Sequence, residues 1–166
     1  QGSYAYKTLN SPYRPPTQQA DLDDGVYFPF SYVESMPPKI MSELLWRAVD
    51  SVLAVIAKEM RWRLITSNAN CSRLVIAEDM HLDVPLYSVP DIEFSSLVEA
   101  RFQTRAISDE LSIDDDWSLL PTSGVLMVNK ELGWVESDPR PVKEWVEKRV
   151  AYQGEQLRRV MRYIKA

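Results

Sequence analysis

From Lys39 to about Arg61, apolar residues return at three- and four-residue steps: Ile40, Leu44, Leu45, Val49, Val52, Leu53 and Ile56. Glu43, Arg47, Lys58 and Glu59 fall between them. That period predicts one long amphipathic helix packed on the face of a sheet. Pro37-Pro38 stops what precedes and suits the helix's first turn, where a missing N–H costs nothing. Shorter apolar runs read as strands: Asp21 to Phe30, Trp62 to Thr66, Cys71 to Ala77, His81 to Val89 and Gly124 to Val128. Ser67-Asn68-Ala69-Asn70 is a turn between two of them. Asp91 to Phe102 reads as a short helix, and Ser108 to Ser118, with Asp114-Asp115-Asp116, as an acidic surface loop. A helix starts at Asp138-Pro139-Arg140-Pro141, with Asp138 as N-cap, and carries Val142, Trp145, Val146 and Val150 inward. The last helix begins near Gly154, with Leu157, Val160, Met161 and Ile164 on one face and Arg158, Arg159, Arg162 and Lys165 over much of the rest. Residues 4 to 20 hold Pro12, Pro15 and Pro16 and read as an irregular connector. The expected class is α+β, a mixed or antiparallel sheet packed against helices.

The chemistry gathers at Asp21-Leu22-Asp23-Asp24-Gly25. On a strand, side chains two apart share a face, so Asp21 and Asp23 point the same way. In the His81 to Val89 run, Asp83 shares a face with His81 and Pro85. Gly2-Ser3 is a small turn whose backbone can approach a phosphate closely. Lys7 and Thr8 follow it within reach of the same phosphate. A Gly-Ser turn, an Asp-x-Asp strand and a distant strand Asp suit nucleotidyl transfer, where two divalent cations about 3.5–4 Å apart stabilise the attacking and leaving oxygens. Mg²⁺ takes such carboxylate oxygens together with phosphate oxygens and water. Taken alone, an acidic run of this kind is most often a solvated turn. A calcium-binding EF-hand loop is excluded, because it needs a Glu at its twelfth position and Tyr32 stands there. Arg73 lies mid-strand, where its charge needs a carboxylate or a substrate phosphate.

Composition narrows the classes. The 166 residues suffice for one domain, and 45% hydrophobic with 26% charged residues is ordinary for a globular protein. A net charge of −5 argues against broad binding along a nucleic-acid backbone. The single cysteine, Cys71, forms no internal disulfide and reads as buried filler; with one histidine, a zinc finger is excluded. No apolar run approaches the roughly 20 residues of a membrane span, and no signal peptide opens the chain. A cytoplasmic location is expected, with no membrane partner.

The chain resembles the bacterial cGAS/DncV-like nucleotidyltransferases (CD-NTases), and within them the DncV-type cyclic GMP-AMP synthases. The resemblance rests on Gln1-Gly2-Ser3 with Tyr6-Lys7-Thr8, on Asp21-Leu22-Asp23-Asp24-Gly25-Val26-Tyr27, and on His81-Leu82-Asp83-Val84-Pro85-Leu86-Tyr87. It continues through Asp138-Pro139-Arg140-Pro141 with Trp145, and through Gly154-Glu155-Gln156-Leu157-Arg158-Arg159 into Tyr163-Ile164-Lys165-Ala166. It implies a polymerase-β-like nucleotidyltransferase core that joins ATP and GTP into a cyclic oligonucleotide and releases pyrophosphate. Asp21, Asp23 and Asp83 would hold two Mg²⁺ ions, with Mn²⁺ as a substitute. Gln1, Gly2 and Ser3 would bind the triphosphate, Arg73 would contact nucleotide, and Lys165 would reach the donor phosphates. The resemblance also implies an anti-phage signalling (CBASS) setting, a separate effector that responds to the product, operon-encoded ubiquitin-conjugation-like partners, and no need for long nucleic acid. Family members begin before Gln1 and continue past Lys165, so residues 1–166 are expected to be a catalytic core cut at both ends, with most of the helical half missing after residue 150. Rival readings are a protein- or drug-adenylylating enzyme, a template-free RNA-end polymerase, and a catalytically dead relative that binds nucleotide.

Overall fold

The computed structural model describes residues 7, 11, 12, 14, 15, 17–92, 94–96, 98, 99, 124–138 and 140–165, with the backbone alone at 140 and 165. The strands are β1 (Ala20–Asp23), β2 (Val26–Pro29), β3 (Arg63–Ile65), β4 (Ser72–Ala77), β5 (Met80–Val84), β6 (Leu86–Val89), β7 (Leu126–Asn129) and β8 (Gly133–Glu136). The helices are α1 (Phe30–Val33), α2 (Pro38–Met60), α3 (Arg140–Gln153) and α4 (Gln156–Lys165). Described residues between 91 and 99 are helical as well, and the acidic stretch 108–118 lies outside the described residues.

The strands form two four-stranded sheets, ordered β1-β5-β4-β3 and β2-β6-β7-β8. β1 runs parallel to β5 and β2 parallel to β6; the remaining pairs are antiparallel, so the sheets are mixed. Asp21 to Phe30 is therefore two strands and the start of α1, and His81 to Val89 is also two strands. The break falls at Pro85, which has no N–H to donate to a ladder. Pairing still carries across it: Asp24 N donates to Asp83 O at 2.9 Å, and Val26 N to Pro85 O at 3.0 Å. Gly25 sits at the same break because there is no space beside it. A Cβ there would lie 3.0 Å from the Tyr87 ring, which stacks on Tyr27 with centroids 5.3 Å apart.

The alternation of strand side chains sorts the core from the site. Leu74, Val84 and half-buried Leu82 and Leu64 face Leu53 and Ala57 of α2. Further along, Leu86 and Val128 meet Met41, Leu45 and Trp46 from the start of the same helix. On the other face of the second sheet, Tyr87, Val89 and Val125 form a third cluster with Phe94 and Met127. Each fully buried leucine, Leu74 or Leu86, contributes on the order of 1.5–3 kcal/mol.

Several expected faces are corrected. α2 buries Met41, Leu45, Trp46, Leu53 and Ala57, while Ile40, Leu44 and Val52 are exposed. In α3, Val146 and Val150 are buried but Val142 and Trp145 are exposed; in α4, Val160 and Ile164 are exposed. α3 and α4 pack on each other, and the Arg149 guanidinium lies over the exposed Trp145 ring, 5.6 Å from its centroid. The strand Gly133–Glu136 was not expected. It pairs antiparallel to β7 through a turn in which Asn129 Oδ1 accepts from the Glu131 and Leu132 N–H groups at 2.8 and 2.7 Å. That turn is tied to the β3–β4 loop by Lys130, whose Nζ donates to Thr66 O at 2.7 Å and Ser72 Oγ at 3.1 Å and lies 4.2 Å from the Trp46 ring centroid.

Candidate active site

Two registers assemble the site. β1 against β5 sets Asp21 beside His81 and Asp23 beside Asp83; β5 against β4 sets Asp83 beside Arg73. All five residues occupy the face of the first sheet opposite the α2-packed leucines, because Asp21 and Asp23, like His81 and Asp83, are two positions apart on one strand and Arg73 is the cross-strand partner of Asp83. Arg73 clamps Asp83 in two parallel bonds, Nε to Oδ1 at 2.6 Å and Nη2 to Oδ2 at 2.7 Å. That bond is the main reason the guanidinium is held more firmly protonated than usual, against the opposing effect of burial. His81 Nδ1 lies 3.0 Å from Gln19 Oε1, and its Nε2 lies 2.9 Å from Asp21 Oδ1.

Charge is crowded here. Burial first, and the neighbouring Asp21 carboxylate second, push the Asp23 carboxyl above the usual carboxylate range. Cys71, one residue before β4, is buried; desolvation and then Asp83 push its thiol up to about 12. It is inert filler, not a nucleophile.

The residues fit a divalent cation. One donor atom each of Asp21, His81 and Asp83 lies within 4.8 Å of the others. Asp21 Oδ1 and His81 Nε2 are both buried and face each other at 2.9 Å, an ion pair when the imidazole is protonated. Asp23 is beside this group and not within it. His81 was recognised in the sequence only as sharing a face with Asp83; what placed it here is the β1–β5 register, which no local pattern reveals.

The remaining predicted residues stand apart. Gln1, Gly2, Ser3 and Thr8 lie outside the described residues, and Lys165 ends α4. Lys7 is exposed, and its carbonyl accepts from Arg162 Nη2 at 2.6 Å, which brings the connector and α4 together. Trp46 and Asp50 serve the core: Trp46 lies under Lys130, and Asp50 accepts a hydrogen bond from Ser72 Oγ. A cavity of about 680 Å³ beside α1 and β7–β8, lined by Phe30, Val33, Met36, Leu126 and Trp134, includes none of Asp21, Asp23, His81 and Asp83.

A mixed sheet packed on one long helix, with an Asp-x-Asp edge strand beside a second aspartate strand, is the fold of a polymerase-β-like nucleotidyltransferase. Residues 1–87 match the family described as cyclic GMP-AMP synthase DncV-like, nucleotidyltransferase domain, and the chain belongs to that family. It is 34% identical to the cyclic GMP-AMP synthase of Vibrio cholerae serotype O1 over 100% of this chain and 41% of that protein. The corresponding Escherichia coli enzyme is 32% identical over 100% of this chain and 40% of its own length. A double aspartate-to-alanine mutant of the Vibrio cholerae di-nucleotide cyclase (DncV) matches with a TM-score of 0.74 at 31% identity, covering 99% of this chain and 39% of that one. The same enzyme with a linear 5′ pppA(3′,5′)pG intermediate matches with a TM-score of 0.71 at 32% identity, again over 99% and 39%. The chain thus spans about two fifths of the length of these relatives.

Proposed function

We propose that this chain carries the catalytic face of a Mg²⁺-dependent nucleotidyltransferase that joins ATP and GTP and closes them into a cyclic GMP-AMP-like oligonucleotide, releasing pyrophosphate. The observation that carries the reading is the register that sets Asp21 and Asp23 beside His81 and Asp83 on one sheet face. Two further observations support it. The curated relatives are cyclic GMP-AMP synthases, and one solved neighbour holds ATP and GTP. In two of the solved neighbours the mutated aspartates are spaced along the chain as Asp21, Asp23 and Asp83 are here.

Asp21, Asp23 and Asp83 would hold two such ions. When bound, the cations supply positive charge against the triphosphate and the attacking and leaving oxygens. The protein's part is to hold Asp21, Asp23 and Asp83 on one sheet face, which the β1–β5 ladder and the Arg73 clamp on Asp83 support. Arg73 keeps both Nη1 N–H bonds and one on Nη2 outside that clamp and can offer them to a phosphate. Gln1, Gly2 and Ser3 at one end and Lys165 at the other are assigned to the triphosphate on the family motif. A cytoplasmic setting, an anti-phage role, a separate effector that binds the product, and ubiquitin-conjugation-like partners belong to the same reading.

The test is pyrophosphate release from ATP plus GTP in Mg²⁺. The wild type should release it; Asp21→Ala and Asp23→Ala should each lose at least about a thousandfold in rate with the melting temperature kept, as expected when charge stabilisation at the reacting phosphate is removed. Turnover near wild type in either variant overturns the assignment.

A further inference from the structure

The turn between β7 and β8 carries a leucine that is 75% exposed, Leu132. The turn itself is fastened. Asn129 Oδ1 accepts from the Glu131 and Leu132 N–H groups, and Lys130 Nζ donates to Thr66 O and Ser72 Oγ. A lone exposed leucine is ordinary. One held out on a turn that is already ordered can be buried by a partner without a further loss of loop freedom.

Leu132 stands on the rim of the cavity of about 680 Å³. Buried Val33 and the side chains of Phe30, Leu126 and Trp134 make its wall apolar. Two of its polar groups are already used: Ser88 Oγ donates to Phe28 O at 3.3 Å, and Trp134 Nε1 to Pro38 O at 3.0 Å. None of the lining side chains has a buried polar atom lacking a hydrogen bond, so nothing there orients a polar ligand and an apolar group suits it best. At the mouth, Glu34, Lys39 and Glu131 form no ion pair among the described residues. Exposed Met36 and Ile40 extend the apolar surface into the start of α2, and an apolar patch rimmed by charges marks a protein contact.

We propose that this patch joins two copies of the chain about a two-fold axis, with Leu132 of each seated in the cavity of the other and Lys39 of each facing the partner's Glu34 and Glu131. A second copy is the occupant that fits, because a protruding apolar side chain, a cavity for it and charges of both signs share one patch. A two-fold contact requires that combination, since the same surface must complement itself. Ser88 and Leu126 alternate in phase with Leu86 and Val128, so the cavity opens on the α2 side of the second sheet. The acidic residues lie on the face away from α2, and pairing leaves them open. The inference is independent of the transferase reading.

The test is sedimentation velocity of the intact protein without nucleotide, over concentrations from about 1 to 300 μM. The wild type should show a monomer–dimer equilibrium with a Kd of about 1–100 μM, as suits a contact at the small end of specific interfaces. Leu132→Glu drives a charge into the apolar cavity, and Met36→Asp places one in its wall. Each should weaken pairing at least about 30-fold. Both side chains are exposed, so the monomer's melting temperature should stay within about 2 °C of wild type. A protein that is monomeric throughout the range overturns the proposal. So does a dimer that either variant leaves intact, since pairing would then run through another surface.

Discussion

Asp83 stands between the Arg73 guanidinium, which it pairs with, and Asp21 and His81, with which it forms a group that could hold a cation. Removing Arg73 would leave a buried carboxylate beside two others, at a cost of about 1–2 kcal/mol after allowance for the partly exposed guanidinium. A divalent cation bound on the same face would replace that charge. Arg73→Ala should therefore melt several degrees below wild type in chelator, with the gap narrowing by at least half in millimolar Mg²⁺. A gap unchanged by Mg²⁺ would show that no cation shares Asp83. Cys71 gives a pH test at the same scale. Its thiol, raised to about 12 by burial, adds stability that is complete below the unfolded thiol's value near 8.5 and is lost as pH rises toward 12. At pH 8 iodoacetamide should label the folded protein at least about tenfold more slowly than the protein in denaturant. Equal rates would mean that Cys71 is not sealed under β4.

Among the elements, the paired breaks at Gly25 and Pro85 matter most, because they let one continuous ladder serve two sheets. Gly25→Ala drives a Cβ to 3.0 Å from a Tyr87 ring that is 3% exposed and stacked on Tyr27, so neither ring can retreat freely. The expected loss is about 1–3 kcal/mol in denaturant melts; a loss under about 0.5 kcal/mol would show the ring relaxes. The same elements show what could be read in advance. Period-two alternation put Asp21 with Asp23 and His81 with Asp83, and both pairs share their faces as expected. Nothing local announced that Asp21 lies against His81, since that follows from a parallel register between strands sixty residues apart. β8 is not legible in the sequence because four residues ending in Trp134-Val135-Glu136 carry too short an alternation to stand out. The inward face of α2 is narrower than its apolar period suggests because Ile40, Leu44 and Val52 are apolar yet exposed, and apolar residues on a surface are common. In α3 and α4 the helical period was legible, but burial depends on what covers a face, and period alone does not carry that.

For the molecule as a whole, the parts divide cleanly. α2 and the leucine faces of the sheets make the core, and the opposite face of the first sheet gathers Asp21, Asp23, His81, Asp83 and Arg73. No helix among the described residues is long and apolar enough to cross a membrane. The net charge of −5 suits small substrates gathered by a few local groups better than a long nucleic-acid track. The most direct measurement of the central claim is to incubate the protein with Mg²⁺ and all four labelled nucleoside triphosphates, treat the products with phosphatase, and separate and weigh what survives. The account predicts a phosphatase-resistant ring containing adenine and guanine. Only linear, phosphatase-sensitive chains, or label fixed to protein, would contradict it.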